Sequence, residues 1–150
     1  MRASKVVIFL AALSFEPVFG EKTLKVSDLP PAVQKTVQDQ LKTGGEIKNI
    51  TKETEKGIVQ FEVESMFNGK HRDFNVDTKG NLIAVEEETS IDTIPGPARD
   101  ALLKKIGEGK LKMVELVTQG SKTFYEASYV SKGGKKHEIA VKPDGAETKE

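Results

Sequence analysis

Three carboxylates, Glu62, Glu64 and Asp73, lie close together in the stretch from Lys56 to Val85, KGIVQFEVESMFNGKHRDFNVDTKGNLIAV, with His71 beside them. Paired carboxylates perform acid–base work when their surroundings drive their pKa values apart. That takes a cleft with an apolar wall, and a hairpin in a small sheet gives no reason to expect one. Glu64 set across from Asp73 reads more simply as a like-charge pair that costs some stability. The two histidines, His71 and His137, have no cysteine beside them and no helical spacing, so zinc has no support. Asp77-Thr78-Lys79-Gly80-Asn81 resembles a calcium loop only in outline, because Lys79 stands where an oxygen ligand is needed; it reads as a turn. Ser65, Ser121, Ser128 and Ser131 lack the Gly-x-Ser-x-Gly context of an activated serine. No phosphate-cradling glycine loop follows a strand and opens a helix. The expectation is a protein with no catalytic residues, no metal and no cofactor, in which these side chains form a surface.

What positions them is a hairpin. Asn68-Gly69 is the dipeptide most favoured in a two-residue turn whose central residues both need φ > 0. With that turn in place Phe67 faces Lys70, Val63 faces Phe74 and Phe61 faces Val76, so these apolar residues share one face. Met66 with His71, Glu64 with Asp73 and Glu62 with Asn75 occupy the other. A slip of one residue would exchange the two sides.

The chain has 150 residues, 37% hydrophobic and 31% charged, with 23 basic and 23 acidic side chains. This is globular composition, and the length suits one domain or two small ones. Arg2 and Lys5 precede an apolar run from Val6 to Phe15, and Val18-Phe19-Gly20 follows, which describes a secretory signal peptide over residues 1–20. The run is too short to span a bilayer. Without Arg2, Lys5 and Glu16 the remainder is one unit negative and has no basic patch, so nucleic acid is not an expected partner. There is no cysteine, so the exported domain must rely on its core.

Leu29, Val33, Val37 and Leu41 recur every four residues after Leu29-Pro30-Pro31 and predict a helix, with Asp28 or Ser27 near its cap and Gly44-Gly45 ending it. Strands are expected from Ile47 to Thr54, on both sides of Asn68-Gly69, and from Leu82 to Glu87. The pattern then returns 65 positions on, in Ile94, Ala98, Leu102 and Ile106, with Gly107 closing the helix. Leu111 and Val114 follow Ile47 and Ile50 at 64, Tyr125-Glu126-Ala127 follows Phe61-Glu62-Val63 at 64, and Ile139 and Val141 follow Phe74 and Val76 at 65. The extra residue fits a three-residue loop, Lys132-Gly133-Gly134, with a left-handed glycine at its end. Two copies of one unit are therefore expected at 21–89 and 90–150, the second with its last strand short or absent. Glu86-Glu87-Glu88 reads as a solvated linker between them.

"Leu-Pro … Ala-Val" opening a helix, a glycine break, and strands carrying "Phe-Glu-Val", "Asn-Gly-Lys" and "Asn-Val-Asp-x-x-Gly" resemble PepSY-like repeats, the exported domains grouped with β-lactamase-inhibitor-like folds. The resemblance covers roughly residues 25–148. It implies an α+β fold of two tandem helix-plus-four-strand repeats, with helices packed on one face of an antiparallel sheet and the other face open. It also implies a non-enzymatic binding module that restrains or regulates a peptidase in the envelope or outside the cell, and a periplasmic or secreted location. The open face should show Gln60, Glu62, Glu64, Met66, His71 and Asp73 in the first repeat. In the second it should show Phe124, Glu126, Ser128, Val130, Lys136 and Glu138. A carrier or sensor of a small ligand or cation is the alternative reading.

Overall fold

The computed structural model describes residues 23–41, 44–55 and 57–148. The leader expected at 1–20 lies outside the described residues. A 3-10 turn at Val26–Asp28 leads into α1 (Pro31–Leu41), then β1 (Gly45–Glu55), β2 (Ile58–Phe67), β3 (Lys70–Asp77) and β4 (Leu82–Thr89). There follow α2 (Gly96–Ile106), β5 (Lys110–Gln119), β6 (Lys122–Val130) and β7 (Lys136–Val141). The fold is α+β, its seven strands hydrogen-bonded in the order of the sequence. Two compact units divide the chain: residues 23–88 with Leu116–Lys122, and Thr89–Glu115 with residues 123–148.

In the first unit, Pro31 opens α1 at a position whose N–H would find no partner within the helix. Val33 and Val37, one turn apart, are fully buried and form the predicted stripe with Leu29. Asp28 is not the cap of α1. Its carboxylate accepts from the backbone N–H of Lys25 at 2.9 Å and closes the 3-10 turn, because Leu29 and Pro30 still separate it from the helix. Under α1 lie Ile50, Phe61, Val63, Phe74 and Val76. Burying each such side chain contributes about 1.5–3 kcal/mol before entropy is counted. The β2–β3 register matches the sequence reading: Phe61 faces Val76, Val63 faces Phe74, and Phe67 faces Lys70. Asn68 at φ 51° and Gly69 at φ 77° make the turn.

Arg72 fastens this layer. Its Nη1 and Nη2 donate to the Gln40 carbonyl at 3.1 Å and to Gln40 Oε1 at 2.8 Å, and its Nε donates to Glu87 Oε1 at 3.1 Å. A cation at the last turn of α1 also meets the negative end of the helix dipole. Glu86-Glu87-Glu88 is therefore no linker: it belongs to β4, where Glu86 pairs with Asp73 and Glu87 with Arg72.

In the second unit, Ala98, Leu102 and Ile106 of α2 are buried with Ile94, Val114, Ala127 and Val141. The Gly107 N–H closes the helix on the Leu103 carbonyl at 3.0 Å. Tyr125 faces Val141, Ala127 faces Ile139 and Tyr129 faces His137, as the three-residue loop requires. The Ser131 N–H bonds to the Lys135 carbonyl at 2.8 Å, leaving Lys132-Gly133-Gly134 as that loop. His137 stacks on Tyr129 with ring centroids 5.1 Å apart. Beyond β7 the described residues form an isolated bridge, Val141 with Glu147, and no further strand.

Both units tuck a turn glycine under the start of their helix. A Cβ on Gly80 would sit 2.7 Å from the Ala32 carbonyl oxygen, and one on Gly145 would sit 2.7 Å from that of Pro97. Thr36 Oγ1 donates to the Gly80 carbonyl at 2.6 Å, holding α1 to the turn. Gly69 differs, since its φ is positive but nothing lies within 4 Å of a Cβ there. Gly69→Ala should therefore cost about 1 kcal/mol, from backbone conformation alone. Gly80→Ala adds a collision with backbone and should cost about 2–4 kcal/mol. Urea denaturation of the two variants side by side checks the ordering; equal losses would show that α1 does not press on the turn.

Candidate functional site

Alternation along the strands carries every second residue of β1–β4 to the side away from α1. There Thr51, Glu62, Asn75 and Ala84 form one row across the four strands. Asn49, Glu64, Asp73 and Glu86 lie in the row on one side of it, the straight β2–β3 register bringing Glu64 opposite Asp73. Glu53, Gln60 and Asp77 lie in the row on the other side. Met66 pairs with His71 at the turn end, and the His71 backbone N–H donates to Glu88 Oε2 at 3.0 Å. The structure thus brings Glu62, Glu64, Met66, His71 and Asp73 together on one face.

This face is acidic and drier than the sequence suggests. Gln60, Asn75 and Glu86 are buried, and Glu62, Glu64 and Asp73 are partly so. Asn49 Nδ2 donates to Glu64 Oε1 at 3.4 Å, and the Ser65 backbone N–H donates to Asp73 Oδ1 at 2.8 Å. Burial pushes the Glu62 carboxyl up to about 9; a hydrogen bond and charge from Glu53, then the charges of Glu64 and Asp73, push the same way. Asp73 rises to about 6, chiefly by burial, with Glu64 adding to the rise while the Ser65 N–H and His71 oppose it. A hairpin face was not expected to separate carboxylates in this way; burial is the first reason, and for Glu62 a neighbour that the sequence does not place there is the second. Glu53 reaches the face from β1, whose register against β2 is broken by a bulge between Ile47 and Asn49. The odd three-residue spacing of Ile47 and Ile50 on one buried side was the available signal.

One more polar group, Thr51, was missed, whereas Asn75 stands opposite Glu62 as the register predicts. Thr51 and Asn75 flank Glu62 directly, are 6% and 3% exposed, and bury Thr51 Oγ1 and Asn75 Nδ2 without a hydrogen-bond partner. Each such atom carries a desolvation cost of about 1–3 kcal/mol. No group of three metal-ligating side chains is assembled among the described residues.

On β6 of the second unit, Phe124, Glu126, Ser128 and Val130 lie on the side away from α2, since Tyr125, Ala127 and Tyr129 face the core. Phe124 and Glu126, expected to be exposed, are 3% and 4% exposed. Glu126 faces Ala140, Ser128 faces Glu138 and Val130 faces Lys136; Ser128 Oγ is buried without a partner.

Proton linkage gives these shifts a sign. Unfolded Glu62 ionises near 4.5, whereas the folded protein holds the proton to about 9. Asp73 behaves likewise between 3.8 and about 6. The native state binds more protons across that span, so stability falls as pH rises from about 4 toward 9. Glu62→Gln should flatten the slope and raise stability at about pH 8 by about 1–3 kcal/mol. Urea unfolding from about pH 5 to about pH 8 reads this directly, and stability that climbs with pH in the wild type would reject the protonated Glu62.

Neither a protein family nor any curated protein matches this chain. Solved structures do. A protein of proposed periplasmic location from Bacteroides eggerthii superposes with a TM-score of 0.65 at 14% identity, covering 81% of this chain and 86% of that one. A DUF2874 family protein from Bacteroides ovatus gives 0.61 at 14% identity, over 81% and 85%. A BLIP-like protein from Bacteroides fragilis gives 0.56 at 18% identity, over 81% and 84%. The likeness is one of fold, and the fold is BLIP-like. No described helix is long and apolar enough to cross a membrane.

Proposed function

We propose that this chain is an exported, non-enzymatic binding module that holds a protein partner against the helix-free side of its sheet. Its place is the periplasm or the cell exterior, in keeping with the basic-then-apolar start of the sequence and with the description of the Bacteroides eggerthii neighbour. The PepSY-like motifs and the return of helix-then-strands in the element order support a duplicated unit, and a peptidase of the envelope or medium is the partner class that resemblance implies.

One observation carries the reading: the polar side of β1–β4 buries Thr51 Oγ1 and Asn75 Nδ2 without partners beside a carboxyl held protonated. A fold seals its own polar groups when nothing else is to meet them. A surface that leaves them short of hydrogen bonds suits recognition of another molecule.

The tagged protein should recover one stoichiometric protein from an envelope extract, identified by mass spectrometry. The double variant Glu64→Lys, Asp73→Lys should lose it while keeping the wild-type circular dichroism spectrum. If the captured protein is a peptidase, an equimolar amount of this chain should slow its hydrolysis of a peptide substrate. Recovery of the bait alone would overturn the proposal.

A further inference from the structure

We propose that Glu53 and Glu62 share one proton, and that this proton is the clasp of the sheet's edge strand. With it, the C-terminal half of β1 is pinned to β2 by side chains as well as by backbone. Without it, that half comes away while the rest of the first unit stays folded. The clasp goes beyond the binding reading above and does not depend on what the module binds.

Register places the pair. Thr51 lies opposite Glu62 and Glu53 opposite Gln60, so Glu53 is the diagonal neighbour of Glu62 across the two strands. Their carboxyl groups are hydrogen-bonded to each other. An ionised carboxylate only accepts, so this bond exists only while one of the two carries a proton. β1 is the first strand of the sheet and has β2 as its single strand partner. The bulge between Ile47 and Asn49 breaks its ladder, so the run from Asn49 onward pairs as a stretch of its own. Ile50 anchors that run: its side chain is 1% exposed in the core under α1, and its carbonyl accepts from the Leu24 N–H at 2.9 Å. Past Ile50 the helix-side residues of β1, Lys52 and Thr54, are exposed. What holds this end is backbone pairing and the acid side, where Glu53 meets Glu62.

The surroundings decide when the proton leaves. Facing Glu62 are Glu53 from β1, Glu64 from β2, and Asp73 and Asp77 from β3, with His71 acting on Asp73. One strand further lie Glu88 and Glu86 of β4, the latter with an interaction of its own. Burial first, then the bond to Glu53 and the charges of Glu53, Glu64 and Asp73, keep the Glu62 carboxyl neutral up to about 9. Its ordinary value is 4.5, so the clasp is whole below that pH and is lost as pH climbs through about 9. Once Glu62 ionises, two carboxylates stand in contact beside two more, and the pair must part. β2 is held on both sides, by β1 and β3, whereas β1 is held on one, so β1 is the strand that moves.

Native-state hydrogen exchange on the purified protein, read amide by amide by NMR in low urea, tests this. Protection of Thr51 and Glu53, corrected for intrinsic rates, should fall about tenfold per unit of pH between about pH 6 and about pH 8. That opening should be nearly insensitive to urea, because it exposes little surface. Amides of β3 should instead exchange only through urea-sensitive global unfolding. Glu62→Gln, which donates permanently to Glu53, should leave Thr51 and Glu53 as protected at about pH 8 as at about pH 6. Glu53→Ala, on the edge strand, should lower their protection about tenfold at about pH 6, and it serves if Glu62→Gln unfolds. Protection at Thr51 and Glu53 that ignores pH in the wild type would overturn the clasp. So would protection that falls only in step with β3, or that still falls with pH in Glu62→Gln.

Discussion

Phe61, Val63, Phe74 and Val76 must all lie under α1, and the rest of the first unit follows from that requirement. Side chains alternate along a strand, so fixing these four on the dry side sends Glu62, Glu64, Asp73 and Asn75 to the other. The turn at Asn68-Gly69 sets the register, and Val33 and Val37 of α1 hold it by burial. Shifting the pairing by one residue would place carboxylates against α1 and phenylalanines in water. The acidic face is thus the obligatory reverse side of the core.

Its composition is another matter, because the fold needs only that this side be polar. Like charges across neighbouring strands work against the sheet, and alternating signs would serve stability better. Here the described residues of β1–β4 bring carboxylates from four strands to one side, with His71 beside them. The structure answers partly by keeping a proton on Glu62. Arg72 could have neutralised the cluster, but it points the other way and grips Gln40 at the end of α1. Arg72 serves the packing side while acids gather on the free side.

Much of this was legible in the sequence wherever the physics was local. The type of a turn, the four-residue apolar stripe and the pairing of strands joined by two or three residues depend on neighbours in the chain, and those readings hold in both hairpins. Pairings that depend on a bulge were not legible. The extra residue between Ile47 and Asn49 changes which side chains of β1 share a face with Glu62, so Thr51 and Glu53 went unnoticed. Asn75 was placed correctly across from Glu62, but its lack of a hydrogen-bond partner is a property of packing. Glu86-Glu87-Glu88 looked like a linker because three charges in a row seldom form a buried strand. It forms part of β4 because Arg72 takes the middle residue and the flanking two face the acid side.

Comparison of the halves separates what the architecture needs from what is particular to one surface. Under the proposed duplication, Phe61, Val63, Phe74 and Val76 correspond to Tyr125, Ala127, Ile139 and Val141, and every one of the latter packs with the core of its own unit. On the other side chemical class is kept only in part: Met66 becomes Val130 and His71 becomes Lys136, but Glu64 becomes Ser128 and Asn75 becomes Ala140. Glu126 keeps the place of Glu62 but faces an alanine methyl where Glu62 faces an amide. Even the polar interlock in which Ser65 Oγ donates to the Arg72 carbonyl is replaced by the stacked rings of Tyr129 and His137. Residues that hold helix to sheet are constrained by volume and polarity and vary within those limits. Residues on the far side answer to whatever they touch, and their divergence means the two halves do not present the same chemistry.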